Sequence, residues 1–370
     1  MDIFNLQNLA SLIGALADAF ASALVAIYYG FLTFPTGFAY GLAAVLAGIW
    51  GLSTPISYQA ESIVLVGNLG KDLRERLSII VIGGAIMTIL GIFGLLDSIV
   101  DYIGESILAG MMAGVGIILA KTSLGLVKED PISGISAFIV SITVYILTDN
   151  LAYMIVLSLI VASIVHHFKK DKTQEFELVD KNNTNDVTGE ENTSSVRKIS
   201  KNISYFKPIL NSKRVWKAAL ALSALQVGAN ISYGAITSSI ANTSFLADKL
   251  TIMSGLADVI SGIFGGAPME AVISVTATGK NPIALGVIFM SIMAIILFTG
   301  LISKVSKWIP VSAPAGYLFV LGAFFVVPDN LALTIGDGSS ISGMITLVVT
   351  SISDPFIGML AGLATRMVGL

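Results

Sequence analysis

Two short apolar stretches of the sequence begin with proline, and each carries a serine and a glutamate four residues apart. In the first stretch, Ser57 lies two residues after Pro55, and Glu61 lies six residues after it. A carboxyl group in apolar surroundings is costly to bury, so such a residue is usually retained for a function. A carboxylate at this position can accept hydrogen bonds from a ligand or bind a proton.

The second stretch repeats the pattern in reversed order. Glu270 lies two residues after Pro268, and Ser274 lies six residues after it. Residues four apart lie about one helical turn apart, so each serine and glutamate are expected on one face of a helix. The sequence therefore predicts two half-helices whose starts, with their unpaired backbone amides, form a polar pocket. The alternative is that both prolines begin ordinary spans, with the carboxylates at solvated loop edges.

Two longer apolar segments carry further polar residues, again one helical turn apart. Gln226 and Asn230 lie in one segment, and Asp18 and Ser22 lie in the other. Amide side chains donate and accept hydrogen bonds, which suits a ligand with alternating polar edges. Polar residues of this kind equally hold membrane helices together. We predict that the substrate contacts Ser57, Tyr58, Gln59, Glu61, Gln226, Asn230, Glu270 and Ser274, and that Glu61, Glu270 and Asp18 couple an ion.

The composition places these residues in a membrane protein. Of the 370 residues, 55% are hydrophobic and 12% are charged, and the mean hydropathy is +0.86. Soluble proteins have about 25% charged residues. With about 20 apolar residues for each crossing, the apolar stretches predict about 14 spans, of which the third and tenth are the short ones. The chain has no cysteine, which excludes disulfides and thiolate metal sites. We expect no cofactor and no nucleic-acid partner.

A polar segment divides the sequence into two apolar parts. Residues 169–214 are rich in Asn, Thr, Lys and Glu, and they contain too few apolar residues to fold alone. This linker separates residues 1–168 from residues 215–370, and each part has seven predicted spans. Asp258 and Asp354 lie near predicted span ends, and we interpret them as helix caps.

The two apolar parts resemble one another. Ala15-Leu16-Ala17 followed by Ile27-Tyr28-Tyr29-Gly30 matches Ala219-Leu220-Ala221 followed by Ile231-Ser232-Tyr233-Gly234 at the same spacing. Because seven spans insert the second copy in the opposite orientation, the sequence predicts an inverted repeat, an arrangement common in transporters. All but three of the 21 Lys and Arg residues then fall on one side of the membrane. That distribution supports the span count, and it places the linker in the cytoplasm and both termini outside.

The region of the ninth and tenth segments resembles a known transporter family. SGLADVISGIFGGAP at residues 254–268, followed by TGKNP at residues 278–282, is similar to the corresponding region of xanthine/uracil permeases. The order of the spans extends the resemblance over nearly the whole chain. It implies an all-α membrane protein with a seven-plus-seven inverted repeat, a core domain and a gate domain, and short strands in segments three and ten. It also implies proton- or sodium-coupled nucleobase uptake by an elevator-like movement.

The sequence departs from that family in its carboxylates. The glutamate of the family's segment ten corresponds to Ser274 here, and the acidic residue of its segment eight falls near Leu225, beside Gln226. Glu61 and Glu270 are the candidate replacements. The sulfate permease family is a more distant resemblance, through a similar Gly-Lys-x-Pro-like stretch after segment ten.

We therefore expect a multi-pass permease of the cell membrane that carries a small polar solute. A nucleobase is the first interpretation, and a sulfate-permease-like anion is the alternative. The expected partners are the solute, a coupling H⁺ or Na⁺ and the lipid bilayer, and a homodimer is left open. Replacing Glu61 or Glu270 by glutamine is expected to abolish coupled uptake.

Two other classes of protein are weighed against a permease. An intramembrane hydrolase needs a histidine beside a serine, or two facing aspartates at depth. His166 and His167 both lie at a predicted membrane edge, so we expect no enzyme. A scaffold that transports nothing is the remaining alternative.

Overall fold

The structure is a computed structural model that describes residues 6–148, 151–181, 205–305, 308–310, 312–335 and 341–369. Within these residues, apolar helices surround one two-stranded sheet. Seven of the described helices are long and apolar enough to cross a bilayer on their own. The protein is thus an all-α, multi-pass membrane protein, as predicted. The middle of the predicted linker, residues 182–204, lies outside the described residues.

The first half of the chain follows the predicted order of segments. Its elements are α1 (Leu6–Tyr28), α2 (Thr33–Trp50), β1 (Ile56–Tyr58), α3 (Ala60–Leu69), α4 (Leu73–Ile92), α5 (Leu96–Ile103), α6 (Glu105–Glu129), α7 (Pro131–Thr148) and α8 (Leu151–Lys181). β1 and α3 together make up segment three, and the short helix α5 leads into α6.

The second half repeats this order. Its elements are α9 (Lys213–Ile240), α10 (Ala247–Ile263), β2 (Met269–Ala271), a 3-10 turn (Val275–Thr278), α11 (Pro282–Phe298), α12 (Leu301–Val305), α13 (Pro314–Val320), a π-helix (Leu321–Val326), α14 (Val327–Ile335), α15 (Ile341–Ile352) and α16 (Pro355–Met367). β2 and the 3-10 turn make up segment ten. α13, the π-helix and α14 follow one another without a break.

The main contacts between helices each have an equivalent contact in which both helices are replaced by their counterparts from the other half of the chain. α2 packs on α11 as α10 packs on α4, and α7 packs on α8 as α15 packs on α16. In the same way, α6 packs on α15 as α13 packs on α7. Two copies related by a two-fold axis must show this exchange, so the packing supports the predicted inverted repeat.

The same contacts divide the molecule into two bundles. We call α1–α4 with α9–α12 the core bundle, and α5–α8 with α13–α16 the gate bundle. Each bundle takes helices from both halves of the chain. In the core bundle α4 and α10 approach very closely, since a Cβ added at Gly84 would lie 2.6 Å from the backbone oxygen of Gly255. Small residues permit such close contact between membrane helices.

Segment ten differs from the predicted half-helix. Five of the seven residues 272–278 are β-branched, and β-branched side chains lose rotamer freedom in a helix. The chain forms only the 3-10 turn, and the side chain of Ser274 accepts a hydrogen bond from the backbone amide of Thr276 at 3.2 Å. Glu270 lies in β2 and Ser57 lies in β1, so the prediction that each glutamate shares a helical face with its serine is wrong.

Candidate functional site

Segments three and ten meet inside the core bundle as an antiparallel pair of strands. Ser57 of β1 lies opposite Glu270 of β2. Beyond the paired residues, the backbone amide of Val272 donates to the carbonyl oxygen of Pro55 at 3.3 Å. The two interrupted segments therefore face one another, as the positions of the prolines predicted.

Neighbouring side chains satisfy the outer edges of this sheet. On the β1 edge, the backbone amide of Tyr58 donates to the hydroxyl of Tyr40 at 2.9 Å. On the β2 edge, the backbone amide of Met269 donates to Oδ1 of Asp258 at 2.7 Å. Irregular backbone is tolerated within a membrane only where the protein or water supplies partners. These side chains therefore help to stabilise the two strands within the membrane.

Asp258, Gln226 and Asn230 lie behind β2. Asp258 is fully buried inside α10, so its interpretation as a helix cap is wrong. Its Oδ2 accepts a hydrogen bond from the side-chain amide of Gln226 at 2.5 Å. Asn230 accepts from the backbone amide of Ala271 at 3.4 Å and donates to the hydroxyl of Ser254 at 2.9 Å. Both amides predicted to contact substrate are thus bonded within the protein, because α9 and α10 cross directly behind the strand.

A cavity of 320 Å³ lies between the core bundle and the gate bundle, beside β1. Five residues singled out from the sequence line it, namely Asp18, Ser57, Gln59, Glu61 and Ser274. The structure thus brings together residues from α1, from segment three and from segment ten. The other lining residues are Gly14, Ala15, Ile155, Tyr233, Ile240, Val272, Ile273, Val275, Thr278, Phe289, Tyr317, Leu321 and Phe325.

Tyr58 and Glu270 lie outside this lining. The ring of Tyr58 packs edge-on against Tyr40, with 5.6 Å between the ring centroids. Glu270 is fully buried, and its carboxylate accepts a hydrogen bond from the hydroxyl of Ser62 in the first turn of α3. The carboxyl group of Glu270 therefore ties β2 to α3.

Two carboxyl groups give the cavity its charge. The hydroxyl of Tyr233 donates to Oε1 of Glu61 at 3.5 Å, and the hydroxyl of Tyr317 donates to Oδ1 of Asp18 at 3.1 Å. Among the described residues, Oε2 of Glu61 has no partner, and no lysine, arginine or histidine lines the cavity. The described residues also contain no group of three or more His, Cys, Asp or Glu side chains that could hold a metal ion.

Sequence reasoning missed the two tyrosines of the site. Tyr233 lies in the repeated four-residue motif, which was interpreted only as evidence of duplication. Tyr317 belongs to the gate bundle, and its hydroxyl also lies 3.2 Å from that of Ser22. A π-helix begins four residues after Tyr317, and distortions of this kind are frequent at functional sites. No pattern in the sequence joins Tyr317 to Asp18, because only the packing of α13 against α1 brings them together.

Comparison with solved structures identifies the fold. No protein-family model and no curated protein matches the sequence. The transmembrane domain of a cyanobacterium bicarbonate transporter, BicA, matches with a TM-score of 0.59 at 16% identity, over 97% of this chain and 98% of that one. SLC26A9 matches with a TM-score of 0.65 at 13% identity, over 98% of this chain and 64% of that one. The murine Slc26a9 anion transporter in the inward-facing state matches with a TM-score of 0.66 at 15% identity, over 100% of this chain and 69% of that one.

These similarities concern the fold, which bears on the two families that the sequence resembles. The matching structures are anion transporters of the sulfate permease family, the more distant of the two resemblances, and they give no support to the xanthine/uracil permease family. The chain spans about the whole transmembrane domain of BicA and less than two thirds of the SLC26A9 chain. The protein is a multi-pass membrane protein with the fold of these anion transporters.

Proposed function

We propose that the protein is a secondary transporter that moves a small anion together with a proton or a sodium ion. The observation that carries this proposal is the pair of buried carboxyl groups, Asp18 and Glu61, in a cavity whose described lining contains no basic side chain. The fold supports transport, because bicarbonate and anion transporters share it. The carboxyl groups support the co-transported cation.

The anion is assigned to the start of α3. This ten-residue helix begins at Ala60, and the preceding Gln59 makes no side-chain capping bond to it. Free backbone amides and the helix dipole favour an anion at such an end. The hydroxyls of Ser57 and Ser274 line the same cavity and supply further donors. A small oxyanion such as bicarbonate or sulfate matches this set of donors.

The cation is required by the charge of the cavity. An anion placed beside two ionised carboxylates in a buried site is repelled, and the repulsion is strong in the low dielectric of the interior. A proton or a sodium ion bound to Asp18 or Glu61 neutralises one of these charges and lowers that repulsion. Anion and cation then favour one another's binding reciprocally, typically by about 1–3 kcal/mol. Neither is expected to occupy the cavity well alone.

Uptake into proteoliposomes tests the proposal. The purified full chain is reconstituted, and the uptake of radiolabelled bicarbonate, sulfate, chloride, uracil and xanthine is measured with an inward sodium gradient, an inward proton gradient or neither. We expect one of the anions to accumulate, and only when a cation gradient is present. Liposomes without protein give the background.

The same experiment separates the alternatives. Accumulation of uracil or xanthine, with none of any anion, would overturn the anion assignment and restore the nucleobase interpretation. Anion uptake that ignores both gradients would overturn the coupling. No uptake of any solute from verified, folded protein would remove transport of these solutes altogether.

A further inference from the structure

A second cleft, of 440 Å³, lies at the seam between the core bundle and the gate bundle, where α9 begins. The core bundle contributes Lys213, Trp216, Lys217 and Leu220, and the gate bundle contributes Phe356 of α16. This cleft is separate from the cavity at the strands, since the two share no lining residue.

The α9 side of the cleft is a single helical stripe. Lys213, Trp216, Lys217 and Leu220 are spaced at i, i+3, i+4 and i+7, which places them on one face of the helix. The stripe changes from charged to apolar along the helix, and Leu220 lies about 10 Å further along the axis than Lys213. The indole N–H of Trp216 donates to the carbonyl oxygen of Leu210 at 2.8 Å. Tryptophan and lysine are the residues that typically mark the boundary between lipid and water.

The charge of the cleft is positive. Lys213 is exposed and has no partner among the described residues. The side chain of Lys217 is 51% exposed, and its ammonium lies 3.2 Å from Asp354. Asp354 also caps the start of α16, as predicted. The adjacent Arg214 points to a different partner, Glu75. Of the two ammonium groups of the cleft, only that of Lys217 is therefore paired with a carboxylate among the described residues.

We propose that the cleft binds an anionic phospholipid. The phosphate lies between the ammonium groups of Lys213 and Lys217, and the part of an acyl chain nearest the headgroup lies along Leu220 and Phe356. Basic pockets between membrane helices are suited to such headgroups. A free phosphate would make no favourable contact with the apolar side of the cleft. The combination of two lysines with an adjacent apolar surface therefore favours a lipid.

A lipid in this position acts on the contact between the bundles. Its phosphate competes with Asp354 for Lys217, and that ion pair joins α9 of the core bundle to α16 of the gate bundle. Binding of the lipid therefore loosens a link that any movement of one bundle past the other has to break. This inference does not depend on which solute the protein carries.

Fluorescence quenching of Trp216 tests the proposal. The chain has three tryptophans, so Trp50→Phe with Trp308→Phe leaves Trp216 as the only one. The full chain is reconstituted in phosphatidylcholine nanodiscs that contain a fixed share of brominated phosphatidylglycerol or brominated phosphatidylcholine. We expect the anionic lipid to quench Trp216 about twofold more strongly than the neutral lipid.

Three variants in this background make the result specific. Lys213→Gln, which disturbs no described ion pair, is expected to reduce the preference for phosphatidylglycerol, whereas Lys249→Gln on α10 serves as the matched control and leaves it unchanged. Asp354→Asn keeps a good capping residue and is expected to increase the preference, because Lys217 is released. Equal quenching by the two lipids, or a preference that Lys213→Gln leaves intact, would overturn the proposal. Loss of the preference on adding inorganic phosphate would show a free-anion site instead.

Discussion

Segments three and ten occupy equivalent places in the two halves, yet they present different chemistry to the cavity. After β1 the chain continues as the ten-residue helix α3, which carries Glu61 in its first turn. After β2 it continues only as a four-residue 3-10 turn, preceded by Ser274. Segment three thus supplies a helix start and a carboxyl group to the cavity, whereas segment ten supplies hydroxyls.

Glu270 makes the asymmetry plain. It is the acidic residue of segment ten, but its carboxylate bonds to Ser62 of α3 and lies outside the cavity lining. The two equivalent segments therefore give the cavity a charged wall at segment three and a neutral wall at segment ten. Such a site is suited to the pair of unlike ions that we propose, with the cation at Asp18 or Glu61.

Cysteine cross-linking tests whether the two segments meet in the observed register. Ile56 and Ala271 lie directly opposite one another, and opposed residues of antiparallel strands have Cα atoms about 4.5–5.5 Å apart. That separation lies within the range of a disulfide, and the chain has no cysteine of its own. We expect Ile56→Cys with Ala271→Cys to cross-link almost completely on oxidation, as measured by mass spectrometry. Ile56→Cys with Met269→Cys, which is out of register, should cross-link poorly, and equal yields would show that the strands do not pair in this way.

Stability measurements compare the edges of the two strands. Asp258→Ala removes the acceptor of two buried donors, the backbone amide of Met269 and the side-chain amide of Gln226. At about 1–3 kcal/mol for each unsatisfied donor, we expect a loss of about 2–6 kcal/mol. Tyr40→Phe, the control on the β1 edge, orphans one backbone donor, the amide of Tyr58. It also removes the partner of the Ser57 hydroxyl, but that hydroxyl lines the cavity, so we expect the smaller loss. The measurement is thermal unfolding in detergent. A larger loss for Tyr40→Phe would reverse the comparison.

Glutamine substitutions compare the two glutamates as coupling residues. Glu61→Gln imitates a neutral carboxyl group in the cavity, so we expect anion binding to persist while the roughly 5–150-fold enhancement by a cation falls to the part that Asp18 supplies. Glu270→Gln should have a smaller effect on coupling, since its carboxylate bonds to Ser62 outside the cavity. Gradient-driven uptake in proteoliposomes is the readout, with Asp101→Asn on α5 as an exposed control. Equal loss of coupling in both variants would mean that the two glutamates act as one unit.

The smallest effect is expected at the wall formed by the gate bundle. Tyr317→Phe removes the hydroxyl that donates to Asp18. One hydrogen bond contributes about 0.5–1.5 kcal/mol. The free energy of cation binding, obtained from the cation concentration that gives half-maximal uptake, should change by that amount. Tyr205→Phe, at an exposed position before α9, is the matched control. An unchanged cation dependence in Tyr317→Phe would remove this tyrosine from the site.

Much of the fold follows from local features of the sequence. Apolar stretches of suitable length predicted the segments, because a bilayer sets the length of a span. The prolines at the starts of the third and tenth segments predicted the interrupted elements, and the carboxylates beside them led to Ser57 and Glu61 in the cavity. In segment ten, β-branched residues outweighed the expected helix and gave a strand and a turn.

The remaining features depend on contacts between residues far apart in the chain. Asp258 was interpreted as a cap from its position along one helix, whereas its role arises from the unpaired amide of Met269 on a neighbouring strand. Gln226 and Asn230 have the chemistry of ligand contacts, but the crossing of α9 behind β2 directs them to the protein backbone and to other side chains. The pairing of Tyr317 with Asp18 needs helices from both bundles, and the spacing of residues within one segment carries no information about it.

Equilibrium binding of the anion, with and without the cation, tests the central claim most directly. The purified wild-type chain is titrated with the anion identified by uptake, at zero and saturating sodium and at neutral and lower pH. The account predicts that sodium or a lower pH tightens binding by about 5–150-fold, and that Glu61→Gln combined with Asp18→Asn binds the anion equally well under all conditions. Wild-type affinity that is the same with and without either cation would contradict it.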